Sequence, residues 1–534
     1  MEHRRAVVNR RRVINLSIAA FFCVCVILPI GSMFARITPK AFDNLIHSAQ
    51  FGTAVQNSLR TSVTSTLISV ALALAAAWCL ERSTIRLKPV FSMIFVTPML
   101  IPSISHAFGL VALFGANGLL TNFFGFNNSI YGFWGIVVGS VIYSFPVALL
   151  MFSSILRYED GLPYKAADIL GISRFHQFVS ITLPYLRKTL ISAFFAVFTM
   201  TVTDYGVPLM IGGTQITLSV LMYNKAVGML DYGTGSAIGA FLLIPAVIAF
   251  VVDLLNPENS QGAFVSEGVE PERRTGRDAA AYLLCAALSL CVVMPIAAFC
   301  VMVFETKYPV NTAFTLYHIE KTMNRGAGEY LANSLMYAAL TGLLGTAAAF
   351  TSSYMTARMN GKFVRGLHLL SLVSMAIPGM VLGLSYVIFF SRTPIYGTVA
   401  IILLVNSVHF FSSPYLMMYN ALSKINENLE SVGLCMGVGR LRMIVDVILP
   451  KVKYTVLEMF GYFFVNSMMT ISAVSFLAPP APKPVALMIN QFEAQLLMES
   501  AAFVSLLILI ANVVVKSGIT FIERKFGGER SGRF

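Results

Sequence analysis

The sequence predicts an all-α polytopic membrane protein, with about twelve transmembrane helices in two parallel six-helix repeats. Three observations carry that prediction. Hydrophobic residues make up 57% of the 534 residues and charged residues 12%, a balance foreign to a soluble chain of this length. Apolar runs of about 20 residues, the length that crosses a ~30 Å hydrocarbon core, recur from end to end. Twelve are legible, centred near residues 24, 68, 102, 143, 198, 245, 291, 343, 377, 408, 466 and 510. Finally, the halves match. Asn57-Ser58-Leu59 returns as Asn333-Ser334-Leu335 and Ile101-Pro102 as Ile377-Pro378, both at an offset of 276. Phe145-Pro146 then meets Ser413-Pro414 at 268 and Pro184 meets Pro450 at 266, so two small deletions separate otherwise continuous repeats.

In chain order, residues 1–12 read as a basic N-terminal arm and 13–256 as the first six-span half. Val13 to Ala35 is too long for the apolar core of a signal peptide, and Gly31-Ser32-Met33-Phe34-Ala35 matches a cleavage site weakly, so this run is read as a retained span. Residues 257–278 form the one long polar stretch between apolar runs, rich in Pro, Gly and charge, and read as a flexible linker. The second half occupies 279–521 and a polar tail 522–534. An even number of spans in each half makes the repeats parallel, related by an axis along the membrane normal, with a pathway expected where they meet.

The formal charge of +13 is distributed by topology. With the N-terminus inside, alternate inter-span segments collect 29 of the 38 Lys and Arg residues. The positive-inside rule then places both termini in the cytoplasm. Charge scattered over many segments does not form a nucleic-acid-binding face, and no nucleic acid is expected as a partner. Membrane lipid is. Seven cysteines show no disulfide or zinc spacing and read as packing residues.

Prolines fall inside the expected spans: Pro98 and Pro102 in the third, Pro146 in the fourth, Pro378 in the ninth and Pro414 in the tenth. Each removes a backbone hydrogen bond and favours a kink, tolerated in a membrane where neighbours or water take up the freed carbonyl.

The segments after the fourth and tenth spans, about 157–188 and 422–453, carry the most specific pattern. Lys165-Ala166-Ala167-Asp168-Ile169-Leu170-Gly171 is followed by nine residues and Ile181-Thr182-Leu183-Pro184. Ser431-Val432-Gly433-Leu434-Cys435-Met436-Gly437 is followed by nine residues and Val447-Ile448-Leu449-Pro450. The glycines permit a sharp turn, and the nine-residue stretches are expected to form a second helical segment ended or redirected at the prolines.

This pattern resembles the "EAA loop" of ABC-importer permeases: Glu-Ala-Ala, three residues, Gly, nine residues, Ile-x-Leu-Pro. The resemblance implies the type I importer permease fold with two fused halves, and cytoplasmic loops through which a separate ATPase, a dimer, drives the membrane subunit. Ala166, Ala167, Gly171, Leu183, Pro184, Glu430, Gly437, Leu449 and Pro450 are the loop residues it marks. The family glutamate is replaced by Lys165 and Ser431, with Glu430 one position early. No Gly-x-x-x-x-Gly-Lys-Ser/Thr occurs, so the chain is expected to bind no cofactor of its own and to leave ATP to its partner.

The phrases around Thr203-Asp204-Tyr205-Gly206-Val207-Pro208 and Thr470-Ile471-Ser472-Ala473-Val474 are most similar to permeases for ferric iron and 2-aminoethylphosphonate, fed by an extracytoplasmic solute-binding protein. Asp204, Tyr205 and Ser472 are the candidates for a translocation pathway. Counted from Lys188, Asp204 sits about 24 Å up the core, where it serves either as an interfacial cap or as a residue near an outer gate. His106 and His409 read as satisfied packing residues, no metal site is expected, and carboxylates and tyrosines do not cluster in the spans. A twelve-span secondary transporter is the rival class. It predicts deep charged residues for ion coupling and no matched loops. A membrane enzyme would need a nucleophile with its base, or a metal triad, and neither pattern is visible.

Overall fold

The computed structural model describes residues 15–125, 130–255, 268–269, 271–359, 361–426, 428–477 and 483–526. The N-terminal arm, most of the linker and the end of the tail lie outside the described residues.

Nine helices among the described residues are long and apolar enough to cross a membrane, and two bent helix pairs bring the total to eleven. Leu449–Met469, the eleventh span in chain order, completes the set of twelve by position, since it stands 266 residues after the fifth-span helix Leu183–Thr203. Its Lys451, Lys453 and Glu458 make it the least apolar of the set. The seventh span begins at Thr275, inside the stretch read as linker, because Asp278 accepts hydrogen bonds from the backbone and hydroxyl of Thr84 and is thereby held at the helix start.

Helix packing within each half follows from small residues. The second span, Ala49–Arg82, buries Ser58, Ser62, Ser65, Ser69, Ala73 and Ala77. Small side chains let helix backbones approach closely and let hydroxyls bond across the contact. Ser69 pairs with Ser144 of the fourth span at 3.1 Å, and Thr66 with Thr201 of the fifth at 3.5 Å. The eighth span, Ala327–Ala357, uses Gly342 and Gly345 in the same way, as a Cβ at either would strike Phe460 or Phe463.

The halves embrace reciprocally. The first span lies against the ninth, where Tyr386 donates to the carbonyl of Cys25 at 2.7 Å. The seventh lies against the third, so close that a Cβ on Gly109 would fall 2.2 Å from the Pro295 oxygen. On the twelfth span, Asn512 donates to the Leu100 carbonyl at 2.9 Å and Ser505 accepts from Ser105 at 2.8 Å. Two parallel repeats related by one axis produce such mutual contacts.

The prolines act unequally. Pro102 and Pro378 break their spans outright, the second pair (Lys362–Ala376 and Gly379–Phe390) bending by 105°. Pro146 sits inside an unbroken helix, Phe133–Arg157, while near its counterpart Pro414 the tenth span bends by 53°. His106 Nε2 donates to the Pro98 carbonyl at 3.1 Å, the acceptor that Pro102, lacking an N–H, leaves open four residues on. That ring nitrogen is satisfied, but among the described residues the buried Nδ1 of His106 and of His409 has no hydrogen-bond partner, so the expectation of satisfied packing histidines holds only for His106 Nε2. Between the seventh and eighth spans a small hairpin, Glu305–Lys307 with Asn311–Phe314, precedes the helix Tyr317–Asn324.

Candidate functional site

Both loops fold alike, residue for residue at an offset of 266. A short helix (Leu162–Ile169 or Asn428–Cys435) ends on a left-handed glycine, Gly171 at φ 68° or Gly437 at φ 72°. The N–H of Ile172 closes on the Ala167 carbonyl at 2.9 Å, and that of Val438 on Gly433 at 2.9 Å. This is the six-to-one closure of a Schellman cap, and a left-handed glycine is its usual pivot. Ala167 is buried, while Ala166 is exposed. Gly433 stands where the first loop has Ala167, and a Cβ there would meet only the end of the flexible Met443 side chain, at 2.0 Å.

The segment after each glycine is not ended at the proline. Arg174–Gln177 and Arg440–Met443 run into π-turns, Phe178–Thr182 and Ile444–Ile448, and then straight into the fifth and eleventh helices. The N–H of Leu183 reaches back five residues to Phe178, and that of Leu449 to Ile444. Widening the turn by one residue gives the following proline ring room where an α-turn would clash. Leu183, Pro184, Leu449 and Pro450 therefore stand at the entry of continuous helices.

Two arginines that the motif does not contain hold the loops to the bundle. Arg82, ending the second span, pairs with Glu159, and Tyr164 donates to Glu159 at 2.6 Å. Burial, and then that hydrogen bond, push the Tyr164 phenol above its usual range. Arg358, just past the eighth span, lies 3.4 Å from Glu430 and donates to the Ile425 carbonyl at 2.9 Å. Glu430 is thus turned toward its own chain. The signal was available, since Arg82 and Arg358 share the 276 offset.

Beside the glycine turn, each loop leaves apolar side chains uncovered at matched positions. Leu170 and Met436 are each 75% exposed, and Phe175 and Leu441 are 73% and 76% exposed. They flank the glycine turn in both halves. The described part of the linker lies against the first loop only, with Glu272 3.8 Å from Arg174, which also pairs with Asp168 at 3.1 Å. Together these groups border a cavity of about 400 Å³.

The pathway candidates lie at the far ends of the fifth and eleventh helices. Asp204 caps the short helix Gly206–Ile211, accepting from the Val207 N–H at 3.1 Å and the Gly206 N–H at 3.3 Å, and from Ser103 at 2.6 Å. Tyr205 is buried and crosses between halves, its hydroxyl receiving Asn490 at 2.6 Å and meeting Ser475 at 3.3 Å. Its ring stacks on Tyr223 at 5.2 Å, a tyrosine pairing that sequence distance concealed. Ser472 packs on Gly379, where a Cβ would fall 2.5 Å from its hydroxyl and 3.0 Å from His409. The corresponding contact in the first half has the sizes exchanged, Ser103 against Gly206, with room for one side chain in each.

Two six-span repeats around a common axis, each with an identically folded surface loop, define a polytopic membrane transport subunit. The chain belongs to the family of binding-protein-dependent transport system inner membrane components, the ABC-importer permeases, which it matches twice, over residues 54–260 and 342–528. It is 24% identical over 505 residues to the ferric transport system permease protein FbpB of Actinobacillus pleuropneumoniae, covering 91% of this chain and 73% of that one. A putative ferric transport system permease protein of Haemophilus influenzae is 25% identical over 467 residues, 84% of this chain and 73% of the relative. A spermidine/putrescine transport system permease homologue of Mycoplasma genitalium is 31% identical over 199 residues, 37% of this chain and 67% of the relative.

Proposed function

We propose that this chain supplies both halves of the membrane channel of an ATP-driven importer, whose two loops seat on a separate ATPase dimer, one subunit under each half. The observation that carries the reading is the matched exposure of Leu170 with Phe175 and of Met436 with Leu441. Large apolar side chains exposed at equivalent places in two repeats fit two equivalent grooves on a partner. The loops and both termini are cytoplasmic, in accord with the basic residues gathered on that side.

The cargo is ferric iron handed over by an extracytoplasmic binding protein, a reading supported by the two ferric relatives that span most of the chain. 2-Aminoethylphosphonate is the runner-up from the sequence phrases alone. The pathway runs between the halves past Tyr205 and Ser472, while Asp204 acts as a cap that keeps the outer segment in place. The chain itself binds no nucleotide.

Purification of the tagged chain from native membranes in mild detergent tests this. Two ATPase copies per chain, with ATP-dependent ferric uptake after reconstitution, are the expected result. A chain that elutes alone and transports without nucleotide is a secondary transporter instead.

A further inference from the structure

The second and eighth spans are tied at both ends by residues that correspond between the repeats. At the loop end stand Arg82 and Arg358, buried to 8% and 4% side-chain exposure although they lie at the edge of the bundle. At the opposite end Ser58 accepts the N–H of Leu218 at 2.7 Å, and Ser334 accepts that of Val485 at 2.7 Å. Leu218–Tyr223 carries the tyrosine that stacks on Tyr205, so the far end of this helix touches the contact between halves. Ser58 and Arg82 are about 36 Å apart along a straight helix.

The loop ends differ in an informative way. At the 266 offset, Glu159 corresponds to Ile425 and Tyr164 to Glu430. The same two loop positions therefore approach the arginine in both halves. The carboxylate stands at the first in one repeat and at the second in the other, and an aromatic hydroxyl completes each cluster, from Tyr164 or from Tyr354 at 3.3 Å. The fold keeps a charge within reach of the arginine and is indifferent to which position supplies it. Stability alone does not account for this, because a buried ion pair is matched or exceeded by apolar side chains of similar volume. Among the described residues, Arg82 Nε and both Nε and Nη2 of Arg358 even lack hydrogen-bond partners, so Arg358 meets Glu430 as an ion pair at 3.4 Å.

We infer that Arg82 and Arg358 are positioning residues that fasten the two docking loops to the second and eighth spans, so that a loop displacement is carried to the outer contact between the halves. The inference rests on the proposed docking role of the loops. A guanidinium held by a carboxylate and by loop oxygens transmits push and pull, whereas an apolar contact transmits push and slides.

The test uses the complex purified with its own ATPase and binding protein, reconstituted, with ferric ion uptake and ATP hydrolysis measured together. Arg358→Met with Glu430→Leu keeps the packing and removes the pin. Its membrane abundance, bound ATPase and unfolding temperature should stay at the wild-type level while uptake per ATP falls by about an order of magnitude. Glu430→Tyr alone should lose coupling, and Glu430→Tyr with Ile425→Glu, which copies the first repeat, should restore it. Wild-type uptake per ATP in the Met/Leu variant overturns the inference. So does a relocated pair that stays as uncoupled as Glu430→Tyr while still holding its ATPase. Absence of ATPase from the wild-type chain would instead overturn the docking reading, and this inference with it.

Discussion

Truncating the exposed loop residues tests docking where folding is least involved. Phe175 and Leu441 are 73% and 76% exposed, so their outer atoms contribute little to the bundle. Fully burying such a side chain contributes ~1.5–3 kcal/mol, and about three quarters of that, ~1–2 kcal/mol, is gained at each when a partner covers it. Changing one to Ala should weaken ATPase binding by about 5- to 30-fold. Both loops engage one dimer, so Phe175→Ala with Leu441→Ala should lose roughly 2–4 kcal/mol, about 30- to 1,000-fold. The assay is equilibrium binding of the isolated ATPase to the chain in lipid nanodiscs. Val310→Ala, at a 79% exposed position between the seventh and eighth spans, serves as the control and should bind normally. A double variant that binds within about twofold of the wild type refutes the argument, because that difference is under 0.5 kcal/mol.

Three further outcomes follow from local geometry. Gly437 has a left-handed backbone and open space, with nothing within 4 Å, where a Cβ would stand, so Gly437→Val should strain the turn by about 1–2 kcal/mol, whereas Gly437→Asn is tolerated; ATPase binding should fall only for Val, with membrane abundance unchanged for both. Gly379→Ser places a Cβ 2.5 Å from the Ser472 hydroxyl and should cost about 1–3 kcal/mol by overpacking. Adding Ser472→Gly, which copies Ser103 with Gly206, should recover the unfolding temperature. Asp204→Ala removes the cap on Gly206–Ile211 and should cost about 0.5–2 kcal/mol. Uptake lost at unchanged unfolding temperature would assign Asp204 to the pathway instead.

Much of the architecture is written in one dimension, because the bilayer imposes it. A span needs a run of apolar residues of fixed length, so twelve runs and their lengths are legible without contacts. The repeat is legible for the same reason. Asn57 to Pro102 and Asn333 to Pro378 keep one spacing because corresponding helices must begin and break at corresponding depths. Gly171 and Gly437 could be read as turns, since their left-handed backbone follows from local chain geometry. The π-turns before Pro184 and Pro450 could not. A proline reads as a stop or a redirection, and only the neighbouring helices decide that the chain continues and absorbs the ring by widening one turn.

What the tertiary structure alone decided are the pairings between residues far apart in the chain. Glu430 stands in the loop motif, yet its partner Arg358 lies 72 residues earlier, brought there by the packing of the eighth span. Asp204 shows its charge in sequence, but its role depends on which N–H groups and which serine face it. Tyr205 and Asn490 come from different halves and meet because two repeats close around a shared axis. Sequence determines which segments enter the membrane, since that depends on composition along the chain. Contacts between segments depend on how helices rotate and cross, and that is settled by the fit of side chains from both at once.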